Sequence, residues 1–124
     1  MESKLFHIGD ILSVTTGKLV SPRLIGGVYD ILNFMTRDNL FTHQLPRACR
    51  ECAPVLLAQH PQLAGVTGED VTGENFKQWI EDRCAEFGEE LLVSQVPDDV
   101  HEFIDPMSEL AEKVHPDKIV VLRA

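Results

Sequence analysis

Cys49 and Cys52 are the first residues of this chain whose types and spacing could do chemistry. A Cys-x-x-Cys pair near the start of a helix can form a redox couple or supply half of a zinc site. The redox form needs a strand directly before the helix, within a thioredoxin-like sheet. Here the preceding segment reads as a loop after a helix, so that context fails. The zinc form needs two more ligands, and His43, His60 and Cys84 fit no finger spacing. Core packing is the competing role, because the same spacing puts both thiols on the apolar side of a helix, where free cysteines are common. A second set, Thr42, His43 and Arg47 with Asp38 or Asp30, has the residue types of a nucleophile, a base and its orienter. No glycine-rich nucleophile elbow accompanies it, and Arg47 and Arg50 suit equally a basic ridge that pairs with the chain's own acids. Gly26-Gly27 lacks the surroundings of a phosphate-cradling loop. No catalytic residue, metal or cofactor is assigned on these grounds.

Charge is the third chemical feature. The chain has 124 residues and a formal charge of -9, from 20 acids and 11 bases. Residues 1–63 hold five acids and six bases, whereas residues 64–124 hold fifteen acids and five bases. The excess therefore lies wholly in the second half. Direct binding to a phosphate backbone is disfavoured, since that contact draws on clustered lysine and arginine. A basic protein surface, including one that normally holds nucleic acid, is the complementary partner. Glu74, Glu81, Asp82, Glu86, Glu89 and Glu90 are the candidate partner-binding residues. The acids follow no calcium-loop pattern.

These groups must be positioned by a chain of single-domain size. Residues 7–17 allow a short helix, with Asp10 as its cap or in its first turn and Gly17 at its end. Val28, Ile31, Leu32 and Met35 form a helical stripe that stops near 36–39. A helix over Pro46–His60 places Leu45, Ala48, Cys49, Cys52, Ala53, Leu56 and Leu57 on one side and Arg47, Arg50 and Glu51 on the other. Pro54 inside it predicts a kink or two short helices. Glu74–Gly88 is the clearest helix, with Phe76, Trp79, Ile80, Cys84 and Phe87 inward and an acidic opposite side. Leu91–Val96 reads as a strand, Pro106–Val114 as a helix with Met107, Leu110 and Val114 inward, and Ile119–Leu122 as a final strand. That succession suggests two parallel strands. The expected fold is α+β: a mostly helical single domain over 1–124, helical in 1–61, with an acidic α/β half at 74–124 carrying a two- or three-stranded sheet.

The stretches HIGDILSVTTGKLVSP (7–22) and YDILNFMTRDNLFTHQLPRA (29–48) resemble a family of small uncharacterised proteins carried by phages and mobile elements of bacteria. The resemblance implies no activity, cofactor or residue role. It implies a context of accessory factors that bind and modulate a host protein, anti-defence inhibitors among them. Three cysteines are too few for a disulfide scaffold, the N-terminus is a poor signal peptide, and no apolar run approaches the roughly 18 residues that cross a bilayer. The expectation is a cytoplasmic, acidic, protein-binding inhibitor or modulator, acting on a host protein with a basic surface and contacting neither nucleic acid nor membrane. The alternatives are a small metal-dependent or catalytic factor centred on His43, Cys49 and Cys52, and a structural or assembly subunit.

Overall fold

A computed structural model of the protein describes residues 2–113. Its hub is a nine-residue helix, α1 (Ile8–Thr16), in which every residue from Ile8 to Val14 is buried. A helix that is mostly apolar all round is stable only when surrounded. Here α2 (Ile25–Thr36), α3 (Leu45–Gln59) and α4 (Phe76–Phe87) enclose it. The stripe of Val28, Ile31, Leu32 and Met35 on α2, and Ala48, Cys52 and Leu56 on α3, enters the same core as Trp79 and Ile80 of α4. The expected ends of α1, near residue 7 and at Gly17, are observed.

Asp10, Ser13 and Ser21 are buried within this core rather than on its rim. Asp10 does not cap α1; the cap is His7, whose Nδ1 accepts from the Gly9 N–H at 2.9 Å. Asp10 is turned inward, where it accepts from the Ser21 hydroxyl and, at 2.7 Å, from the Arg23 guanidinium, which also reaches Asp30 at 2.5 Å. Ser13 donates to the Gly9 carbonyl and accepts from the Val20 N–H, so the 18–24 loop is laced to α1. A Cβ at Gly9 would lie 2.7 Å from Pro22 Cδ, so glycine is what lets the loop approach so closely. The loop ends at Leu24, with φ 56° and ψ -139°, a conformation that favours glycine. Leu24→Gly is expected to stabilise the fold by about 1 kcal/mol, the strain relieved less the entropy gained by the unfolded chain. Urea denaturation checks it, and an unchanged or lower midpoint contradicts it.

The α3 helix is a single 15-residue run through Pro54, neither broken nor divided. Pro54 faces solvent, so water can satisfy the carbonyl its missing N–H leaves unpaired. A 3-10 turn, Pro61–Leu63, follows.

The fold is α+β and mostly helical, as expected, but its sheet is assembled differently. The strand foreseen in the C-terminal half is β2 (Glu90–Ser94), and it pairs antiparallel with an unforeseen strand, β1 (Ser3–His7). Ile119–Leu122, the expected parallel neighbour, lies outside the described residues. The other side of β2 is met by α3: the Gln59 amide exchanges bonds with the Ser94 N–H and C=O at 3.0 and 3.2 Å, and His60 Nε2 donates to the Leu92 carbonyl at 2.7 Å. Those two side chains occupy the place of a third strand. Among the described residues no helix is long and apolar enough to cross a membrane.

Candidate functional site

Residues 38–51 and 101–109 form a dense polar cluster among the described residues. The first group comprises nearly all of the α2–α3 connection and the first half of α3. The second is an extended strap, 101–105, running into α5 (Pro106–Lys113). Arg47 is at its centre, mostly buried, although the sequence pattern had put it on the solvent side of α3. Its Nε and one terminal nitrogen fork onto the Glu109 carboxylate at 2.9 and 2.8 Å. Its other nitrogen donates to Glu51 at 2.8 Å and to the Glu102 carbonyl at 2.9 Å. Arg47 thus does pair with an acid of the second half. The bond to Glu109, with Glu51 and Glu109 both nearby, raises the pKa of its guanidinium beyond the ordinary arginine value.

His101, fully enclosed, bridges Glu51 at 2.5 Å through Nδ1 and Asp38 at 2.8 Å through Nε2. Phe103 packs on it edge to face, with centroids 4.7 Å apart. Gln44 donates to the Ile104 carbonyl and to Glu109, both at 3.1 Å, and His43 Nε2 donates to the Pro106 carbonyl at 2.7 Å. The strap is fastened by side chains in place of a backbone ladder.

This arrangement reverses the expected facing of α5. Glu109 is only 2% exposed, while Met107 is 68% exposed and Leu110 also lies outward. An unpaired buried arginine costs several kcal/mol, more than the roughly 1.5–3 kcal/mol gained by burying one methionine or leucine. The pairing therefore decides which side of α5 faces the protein. Val114 lies outside the described residues.

The residues drawn above as a possible relay are not brought into one. Thr42 bonds the Tyr29 hydroxyl, Asp30 pairs with Arg23, Asp38 holds His101, and His43 is turned to the strap. Glu51, His101, Gln44 and Glu109 were missed as cluster members. One local signal pointed to them: Arg47 and Glu51 are four apart, the spacing of a helical ion pair.

Cys52 is fully buried among the core residues, and burial, with Glu51 and Cys49 adding, pushes its thiol from 9.0 up to about 12. Burial also raises Cys49, against the pull of Arg50, and raises Cys84, helped by Glu89 and Glu81. Cys84 Sγ lies 3.8 Å from His7 Nε2. That nitrogen is the protonated one, since Nδ1 accepts from Gly9, so His7 is no base toward Cys84. Raised thiols are poor nucleophiles and poor metal ligands at neutral pH. Among the described residues no three His, Cys, Asp or Glu side chains converge as metal ligands do. Cys52 is expected to escape a thiol reagent at pH 8 until the protein is unfolded, whereas early modification would contradict its enclosure. With the folded value above the unfolded one, its stabilising contribution is complete below pH 9 and declines from there toward about 12. The decline is up to about 1.4 kcal/mol per pH unit relative to Cys52→Ala.

The acidic residues form the second surface. Glu81, Asp82 and Glu86 lie on α4. Glu74 precedes the helix in a turn where Thr72 Oγ accepts the Glu74 and Asn75 N–H groups, and Glu89 and Glu90 follow Gly88. All six are exposed. Asp82 accepts from Gln78 at 2.9 Å, and Glu86 approaches Arg83 at 2.9 Å, whose guanidinium covers the Trp79 ring. The set wraps one helix and its two ends rather than lying along the helix alone.

The fold and these two surfaces define a small α+β domain with an internal charge clamp and an acidic exterior. Residues 6–66 match a family described as a domain of unknown function, DUF7736. That span runs from the end of β1 through α3 and includes the Asp10 cluster and the Arg47 half of the clamp, but neither the strap nor the acidic helix. No curated protein matches the chain, and no solved structure does.

Proposed function

We propose that the protein is an acidic binding factor that occludes the basic surface of a partner protein, of the kind that otherwise holds nucleic acid. One observation carries the reading: the six carboxylates are all exposed, while Arg47 of the first half is paired internally with Glu51 and Glu109. The acids are thus available to an outside partner rather than neutralised by the first half. Binding would be electrostatic at long range and steric at contact. An accessory factor of a phage or mobile element, inhibiting a host protein, is the context the first-half resemblance suggests. The centre at His43, Cys49 and Cys52 has less support, because Cys52 is enclosed and His43 is engaged by the strap.

The test replaces Glu81, Asp82, Glu86, Glu89 and Glu90 by their amides and compares capture of basic proteins from nuclease-treated host lysate at about 0.05 and 0.5 M salt. The native chain is expected to retain a stoichiometric partner at low salt and lose it at high salt. The neutralised chain is expected to bind at least about tenfold more weakly at low salt. Unchanged binding with unchanged salt dependence would sink the proposal.

A further inference from the structure

A groove between the 20–24 loop and α4 lies beside the acidic face. It encloses about 300 Å³, and Val20, Pro22, Leu24, Phe76 and Ile80 make its walls mainly apolar. Lys77 and Glu81, one helical turn apart, line it as well. Leu24 is its most unusual component. Its side chain is 57% exposed, and its backbone adopts a conformation suited to glycine. An apolar side chain therefore stands in water on a strained backbone, at the wall of a cleft that needs it. Strain of this kind is a reason to look for a contact.

We propose that this groove receives a segment of a basic partner protein, which inserts one bulky apolar side chain flanked by lysine or arginine. The proposal rests on the acidic-face reading and narrows it to a partner chemistry. The apolar walls supply a desolvated seat, the usual setting of an anchor side chain. Glu81 lines the groove. The exposed Asp82, next to it in sequence, and Glu74, two residues before Phe76, add negative charge to the same helix and its entry, against which Lys77 in the lining is an opposing charge. A basic residue beside the anchor finds the Glu81 carboxylate at the groove; an acidic one finds Lys77 and, between Pro22 and Leu24, only Arg23, which Asp10 and Asp30 already hold. The groove thus selects for sequence where the acidic face alone selects for charge.

The test titrates the full chain, by methyl and amide NMR, with three acetylated, amidated pentapeptides: Lys-Lys-Phe-Lys-Lys, Lys-Lys-Ala-Lys-Lys and Glu-Glu-Phe-Glu-Glu. The phenylalanine-containing basic peptide is expected to shift the Val20, Leu24 and Ile80 methyls and to bind about tenfold more tightly than its alanine analogue. The acidic peptide is expected to shift none of them. Leu24→Gly, which removes the wall while relaxing the backbone, is expected to abolish the preference for phenylalanine over alanine. Equal affinity of the two basic peptides, both weakened by Glu81→Gln with Asp82→Asn, overturns the groove and leaves the acidic face standing. Concentration-dependent shifts of the same methyls without peptide assign the groove to a second copy of the chain and overturn the proposal. No binding of any peptide overturns the groove together with the charge complementarity it depends on.

Discussion

Arg47→Ala is expected to destabilise the protein by about 3–5 kcal/mol, the range for breaking a buried ion pair from one side. The substitution removes the fork on Glu109, the bond to Glu51 and the tie to the Glu102 carbonyl together. Glu109, almost wholly enclosed, would lose the two-pronged bond that Arg47 makes to its carboxylate. The companion variant Arg47→Met with Glu109→Leu should recover most of the loss, since apolar replacements of both partners no longer strand a charge. Urea denaturation of the three proteins measures this directly. A single variant that loses less than about 1 kcal/mol would show the strap to be fastened elsewhere. Because one domain has only about 5–15 kcal/mol in hand, the single variant should be near the edge of folding at body temperature.

Two adjacent glycines give the second large effect, with opposite signs. Gly26→Ala should stabilise by about 0.5–1 kcal/mol, because alanine suits a helix better than glycine and nothing lies within 4 Å of the added carbon. Gly27→Ala should destabilise by at least about 3 kcal/mol. There the new Cβ would fall well inside contact distance of Asp10 Oδ1 and Ser21 Oγ, two buried atoms already bonded to each other. Neither can retreat without loosening the bonds they make to Arg23. Thermal denaturation of the pair separates local geometry from general helix propensity, and a like sign for both would refute the account.

Much of the helical framework was legible because it depends on local periodicity. The stripe at Val28, Ile31, Leu32 and Met35 needed no knowledge of its neighbours, and Gly17 and Gly88 end their helices where expected. What could not be read depends on partners distant in sequence. Ser3–His7 is too short and mixed to announce a strand; its partner, about ninety residues on, makes it one. Met107 and Leu110 indicated an apolar side of α5 but not what that side would face. Only the spatial meeting of Arg47 with Glu109 settles that. The same holds for His101: a lone histidine in an acidic tract looks solvated until Asp38 and Glu51 come from either end of the preceding helical region. The candidate acids were legible as a set, since charge and exposure go together on the polar side of a helix. Their division among a turn, α4 and the start of β2 was not.

The pairing of β1 with β2 also has a consequence in time. During synthesis β1 leaves the ribosome before β2, which follows roughly eighty residues later, a wait of about 4–16 s at ordinary elongation rates. Throughout that interval Phe6 lacks its final cover and the amphipathic helices can collapse only around an unfinished edge. Closing so long a loop is slow compared with forming helices, so the sheet is set to be the last and rate-governing event in folding. Nascent chains halted before Glu90 should therefore be markedly more susceptible to chaperone capture than those released just beyond Ser94.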